Sequence, residues 1–79
     1  MVNRQAGETP WAELRSWRED RGWTQRELAA ALSMTDQAIS NIECGRTLPS
    51  LVTAFAIEEL TGVTARSWAL ATLDRQRAA

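Results

Sequence analysis

At 79 residues the chain has room for one small domain with a modest core, for which four Trp, one Phe and the Leu, Ile and Val set are the material. Nine Arg, no Lys and ten acidic residues give a net charge of -1 and a pI near 5.3, so the overall basic footprint that marks many nucleic-acid binders is absent. With no His and no paired-carboxylate, Gly-rich or nucleophile motif, neither an enzyme nor a cofactor site is expected; a single Cys excludes an internal disulfide and a cysteine-based zinc site and fits a reducing, cytoplasmic setting, and no apolar run reaches the length of a membrane span.

Residues 1–8 are polar, contain Gly7 and show no periodicity, which predicts a flexible amino-terminal arm whose lone Arg4 is a weak minor-groove signal. Thr9 then caps a first helix with Pro10 at its first position, where the missing N–H costs nothing. Trp11, Leu14 and Trp17 recur at three-residue spacing as its buried stripe, and Gly22 ends it. Helix two starts at Gln25, because Thr24 with Glu27 three residues later makes a capping box and Trp23 with Leu28 makes the hydrophobic staple around it. Its inward residues are Leu28, Ala29 and Leu32.

Helix three is expected over residues 36–44, with Thr35 as cap, Met34 and Ile39 as staple, and Gly45 as the left-handed stop. Ala38, Ile39 and Ile42 share the core side at helical spacing, which turns Asp36, Gln37, Ser40, Asn41 and Cys44 outward. Amides suit a base-reading surface because one side chain both donates and accepts, matching the adenine edge in the major groove. A merely solvated helix face would carry the same spacing.

At these residues the chain resembles the Cro/repressor-type helix-turn-helix family, also called XRE, from about Trp11 to Trp68. The resemblance is carried by Leu14, Arg15, Arg18, Glu19, the run from Arg21 to Gln25, and Glu27, Leu28 and Ala29; then by Ile39, Ser40, Ile42, Glu43, Gly45 and Arg46; then by Pro49, Ser50 and Leu51. It implies an all-α, compact five-helix lambda-repressor-like domain, over residues 9–75, that docks helix three in the major groove of double-stranded DNA, usually as a dimer on a two-fold-related site. It also implies an ion pair between Arg18 and Glu43 that ties helix one to the end of helix three, a phosphate contact from Gln25 that braces the reading helix, and a backbone contact from Arg46. Gln37 and Asn41, one turn apart, are the base-reading candidates, and Ser40 is a phosphate or positioning candidate. Arg26 stands either for a further phosphate contact or for a solvated side chain. Asp36 either accepts from cytosine N4 or serves the helix dipole at a first-turn position. Ser33 stands where the family usually has Gly, at a cost of about 1 kcal/mol for a left-handed serine.

Ser50 caps helix four, expected from Leu51 to about Thr61, with Leu51, Phe55, Ala54 and Glu58 on neighbouring stripes, Val52 and Ala56 as surplus apolar surface and Gly62 as its end. Val63 is expected to plug the core. Thr64 caps helix five, expected to end at about Asp74 or Arg75 with Trp68 inward, leaving a frayed tail over residues 76–79. Leu70 and Leu73 cannot both share the Trp68 stripe, so one of them is assigned to a partner surface. The resemblance places a homodimer contact at helix five and the loop before it. The function expected is a sequence-specific DNA-binding regulator, a repressor acting as a homodimer on a palindromic operator; the competing reading is a protein-interaction module of the same fold, such as an antitoxin, antirepressor or co-regulator.

Overall fold

The computed structural model describes residues 9–78, so the expected arm over residues 1–8 lies outside the described residues. Five helices follow one another: α1 (Pro10–Asp20), α2 (Gln25–Ala31), α3 (Asp36–Glu43), α4 (Leu51–Thr61) and α5 (Ala65–Ala78), with no strand among the described residues. The domain is the all-α, lambda-repressor-like arrangement, with α3 packed on α2 and α1, and α5 packed on α4 and α1.

Local chemistry sets the helix starts. The hydroxyls of Thr9, Thr24, Thr35 and Ser50 each accept the backbone N–H three residues on, satisfying one of the donors that every helix start leaves open. At α2 the Glu27 carboxylate also accepts the Thr24 N–H at 2.7 Å, completing the capping box. The turn over residues 32–35 is closed by the Met34 N–H on the Ala29 carbonyl at 2.8 Å, with Ser33 held at φ 58. Serine in that left-handed region costs about 1 kcal/mol, which packing of Leu32 and Met34 against the core offsets.

The core consists of Leu14, Leu28, Ala29, Ile39, Ile42, Ala54, Ile57, Val63, Ala65 and Trp68. Trp11, Trp17 and Trp23 lie at its margin, partly buried; the Trp17 and Trp23 rings meet edge-on at 5.3 Å, and the Arg21 guanidinium covers Trp17 at 4.3 Å. Two expectations need correction. The neighbouring stripes expected on α4 do not share one environment: α4 turns Ala54 inward together with Ile57, which was not singled out, and leaves Leu51, Val52 and Phe55 at 66%, 79% and 54% exposure. The seven apolar residues among the eleven of α4 are spread around the helix, so periodicity alone could not choose its buried face. The carboxyl-terminal helix also differs, since α5 continues to Ala78 where its end was expected at about Asp74 or Arg75. Arg75 holds this last stretch, donating to the Gly45 carbonyl and lying over the Trp11 ring.

Candidate nucleic-acid interface

The position of α3 is fixed from its inner end. Glu43, its last residue, is buried, and its carboxylate is met from two helices. From α1, the Arg18 guanidinium donates through Nε to Oε2 at 2.7 Å and through Nη2 to Oε1 at 3.0 Å, a two-point pair, and its Nη1 donates to the Trp23 carbonyl at 2.8 Å. From α2, Gln25 Nε2 donates to the same Oε1 at 3.1 Å. One carboxylate therefore ties α1, the first turn of α2 and the end of α3 together, and the Arg18 that it holds reaches the loop before α2. The Arg18 pKa is raised by the hydrogen bond to Glu43, against the lowering effect of burial, with the Glu43 and Glu19 charges adding to the rise.

The opposite side of α3 faces outward. Asp36 and Gln37 are exposed and Ser40 and Asn41 are half-buried at the helix surface, while Ile39 and Ile42 are in the core. Asp36 lies 3.9 Å from Arg26 of α2, an exposed pair worth little in stability that places an acid beside a cation at the helix entrance. Gln37 Nε2 donates to Asn41 Oδ1 at 3.3 Å, and Arg46 Nη1 donates to the same oxygen at 2.9 Å. The Arg46 charge is thus held against a neutral amide at the helix surface. Cys44, exposed at the end of α3, points its thiol at the Asn41 carbonyl at 3.5 Å.

Gly45 makes that return possible. At φ 77 it reverses the chain so that the Arg46 and Thr47 N–H groups donate to the Asn41 carbonyl at 2.9 and 3.3 Å. A side chain at this position would put its Cβ 2.8 Å from the Trp11 ring, so the close approach of α1 excludes one as firmly as the backbone angle does. Two helices that pack through a capped turn, with a polar row presented outward by the second, form the arrangement that places a helix across a duplex groove.

A helix-turn-helix family model matches residues 14–68, more than half of the chain, from within α1 to the first turn of α5. The chain belongs to the helix-turn-helix family. Its members of Cro/repressor type are DNA-binding transcription regulators. Curated proteins and solved structures yield no match to the chain. No helix among the described residues is long and apolar enough to cross a membrane, and no group of His, Cys, Asp and Glu among them is arranged to hold a metal ion.

Within this helix-turn-helix domain the structure brings Gln37, Asn41 and Arg46 into one hydrogen-bonded chain, and Arg18, Gln25 and Glu43 into another. Arg26 and Asp36 face each other, and Ser40 stands between the two amides on the α3 surface. Sequence reasoning missed five links: Gln25 to Glu43, Arg46 to Asn41, Gln37 to Asn41, Arg26 to Asp36, and Arg75 to the Gly45 carbonyl. The first four join residues already singled out for other roles, and the glycine before Arg46 was the available signal that the chain folds back there.

Proposed function

We propose that the protein is a sequence-specific transcriptional repressor that binds a palindromic operator as a homodimer, in a cytoplasmic setting, with α3 in the major groove. The observation that carries this reading is the outward amide row of Gln37 and Asn41 on a helix whose far end is locked by Arg18, Gln25 and Glu43. Gln37 and Asn41, with Asp36 at the helix entrance, are the base-reading side chains. Gln25, Arg26, Ser40 and Arg46 position the domain on phosphates, Gln25 through the amide hydrogen not given to Glu43. Blocking a promoter by occupancy is the action such a domain performs by itself. The exposed Leu70 and Leu73 on α5 support a dimer contact there and at the preceding loop.

Binding to promoter DNA across a salt series tests this. If Arg26 and Arg46 each neutralise one phosphate in each subunit, log Kobs against log salt falls with a slope of about -3.6 for the dimer. Substitution of Gln37 or Asn41 by Ala is expected to lower base discrimination by about 1 to 3 kcal/mol per contact while nonspecific binding persists. A slope near zero, or affinity that survives Gln25→Ala with Arg46→Ala, rules the reading out. A second reading has support of its own: Leu51, Val52 and Phe55 line the outer face of α4 beside a groove of about 480 Å³ between α4 and α5, walled by Pro49, Leu51, Ala54, Trp68 and Leu73. That surface suits a protein partner, as in an antitoxin, antirepressor or co-regulator. Loss of partner binding on Phe55→Asp, with DNA binding unchanged, would assign it that role.

A further inference from the structure

A free asparagine amide offers one acceptor and two donors, and so suits adenine, which presents N6–H and N7 side by side in the major groove. Asn41 is not free in this way. Its Oδ1 accepts from Arg46 Nη1 at 2.9 Å and from Gln37 Nε2 at 3.3 Å. A guanidinium has no acceptor, so the amide atom facing Arg46 has to be the oxygen, and the amide's orientation follows from chemistry. Two donors use both lone pairs of that oxygen. What remains for a ligand is Nδ2 with its two hydrogens, which donate to no acceptor among the described residues.

We infer that Arg46 is a positioning residue that sets base preference, turning Asn41 into a donor-only reader that selects guanine, with its adjacent N7 and O6 acceptors, over adenine. This rests on the proposal that α3 reads DNA. The device is built into the end of α3: Gly45 at φ 77 returns the chain, the Arg46 N–H is fixed on the Asn41 carbonyl at 2.9 Å, and its side chain then reaches the same residue's amide. The guanidinium has five N–H donors, so holding Asn41 with one leaves others for a phosphate. Gln37 keeps its Oε1 and its second Nε2 hydrogen. It therefore retains the paired acceptor and donor that match adenine, one helical turn before Asn41.

The test is selection of binding sites from a random duplex library by the full chain in four forms: unchanged, Asn41→Ala, Arg46→Ala and Arg46→Lys. Asn41→Ala identifies the base position that Asn41 reads, as the one at which preference levels out. At that position the unchanged protein is expected to prefer guanine over adenine by about tenfold. Arg46→Lys, which keeps a donor without an acceptor, is expected to keep guanine, and Arg46→Ala to shift the preference to adenine. A pure phosphate role for Arg46 would instead weaken every sequence alike. Adenine preference in the unchanged protein, or a guanine preference that Arg46→Ala leaves intact, overturns the inference while the DNA-reading proposal stands. Absence of any sequence preference in the unchanged protein overturns both.

Discussion

Glu43 accepts three hydrogen bonds through two oxygens while 3% of its side chain is open to solvent, and the cation it faces, Arg18, is 12% open. Such a pair adds little net stability over an apolar replacement of both partners, but removing one partner strands the other. Glu43→Gln keeps the shape and takes away the charge and one acceptor. The expected loss is about 2 to 4 kcal/mol, somewhat below the range for fully buried pairs because Arg18 keeps the Trp23 carbonyl and some contact with water. Chemical denaturation of the two proteins measures it, and an unchanged midpoint would remove Glu43 from its place as the tie between α1, α2 and α3. The contribution of Arg18 is insensitive to pH in the working range. Its pKa is raised on folding, so its stabilisation is complete below the pKa of a free guanidinium and is lost only as pH climbs through the still higher folded value.

Among the elements, α3 is anchored by side chains from α1 and α2 at Glu43, and the loop behind it is anchored from α5. Arg75 donates to the Gly45 carbonyl and lies 5.4 Å from the centre of the Trp11 ring, so the last turns of α5 rest on the exit of α3. Both contacts are near the surface, where a cation over a ring contributes about 0.5 to 1 kcal/mol. Arg75→Ala is therefore expected to lower global stability by about 1 kcal/mol. Hydrogen exchange should show a larger local effect, with protection lost in residues 75–78 and in Arg46 and Thr47, and kept in α2. Uniform exchange across the chain would contradict it. The starts of the helices were legible in the sequence because a cap is settled within four residues: Thr9, Thr24, Thr35 and Ser50 each stand where their hydroxyl closes a helix. The end of α5 was not, since the groups that hold Arg75 come from residues 30 and 64 positions earlier. The buried face of α4 was hidden for a different reason, its composition being apolar on nearly every side. At the candidate interface the residue types on α3 were readable from spacing. The bonds among Gln37, Asn41 and Arg46 were not, because they depend on side-chain rotamers and on the reversal at Gly45.

For the whole molecule, a net charge of -1 means that attraction to DNA has to come from local placement of arginines, not from the sum. A single copy engaging one half-site with few cations binds weakly, and two copies gain the second contact set without a second loss of translational freedom. In the proposed dimer, affinity is thus tied to dimerisation. Leu70 and Leu73 are exposed on α5 by 48% and 43%, outside the core, so replacing both with Glu leaves the fold's packing in place. The double variant is expected to unfold within a few degrees of the unchanged protein and to sediment as a monomer. On DNA, the unchanged protein should depend on half-site spacing, tolerating one turn, about 34 Å, and failing when half a turn is inserted, because the partner then faces the wrong side of the duplex. The variant should bind weakly and ignore the spacing. Equal affinity of the two proteins for the full site, with the same sensitivity to spacing, would show that α5 is not where the copies meet and would move the contact to the apolar face of α4.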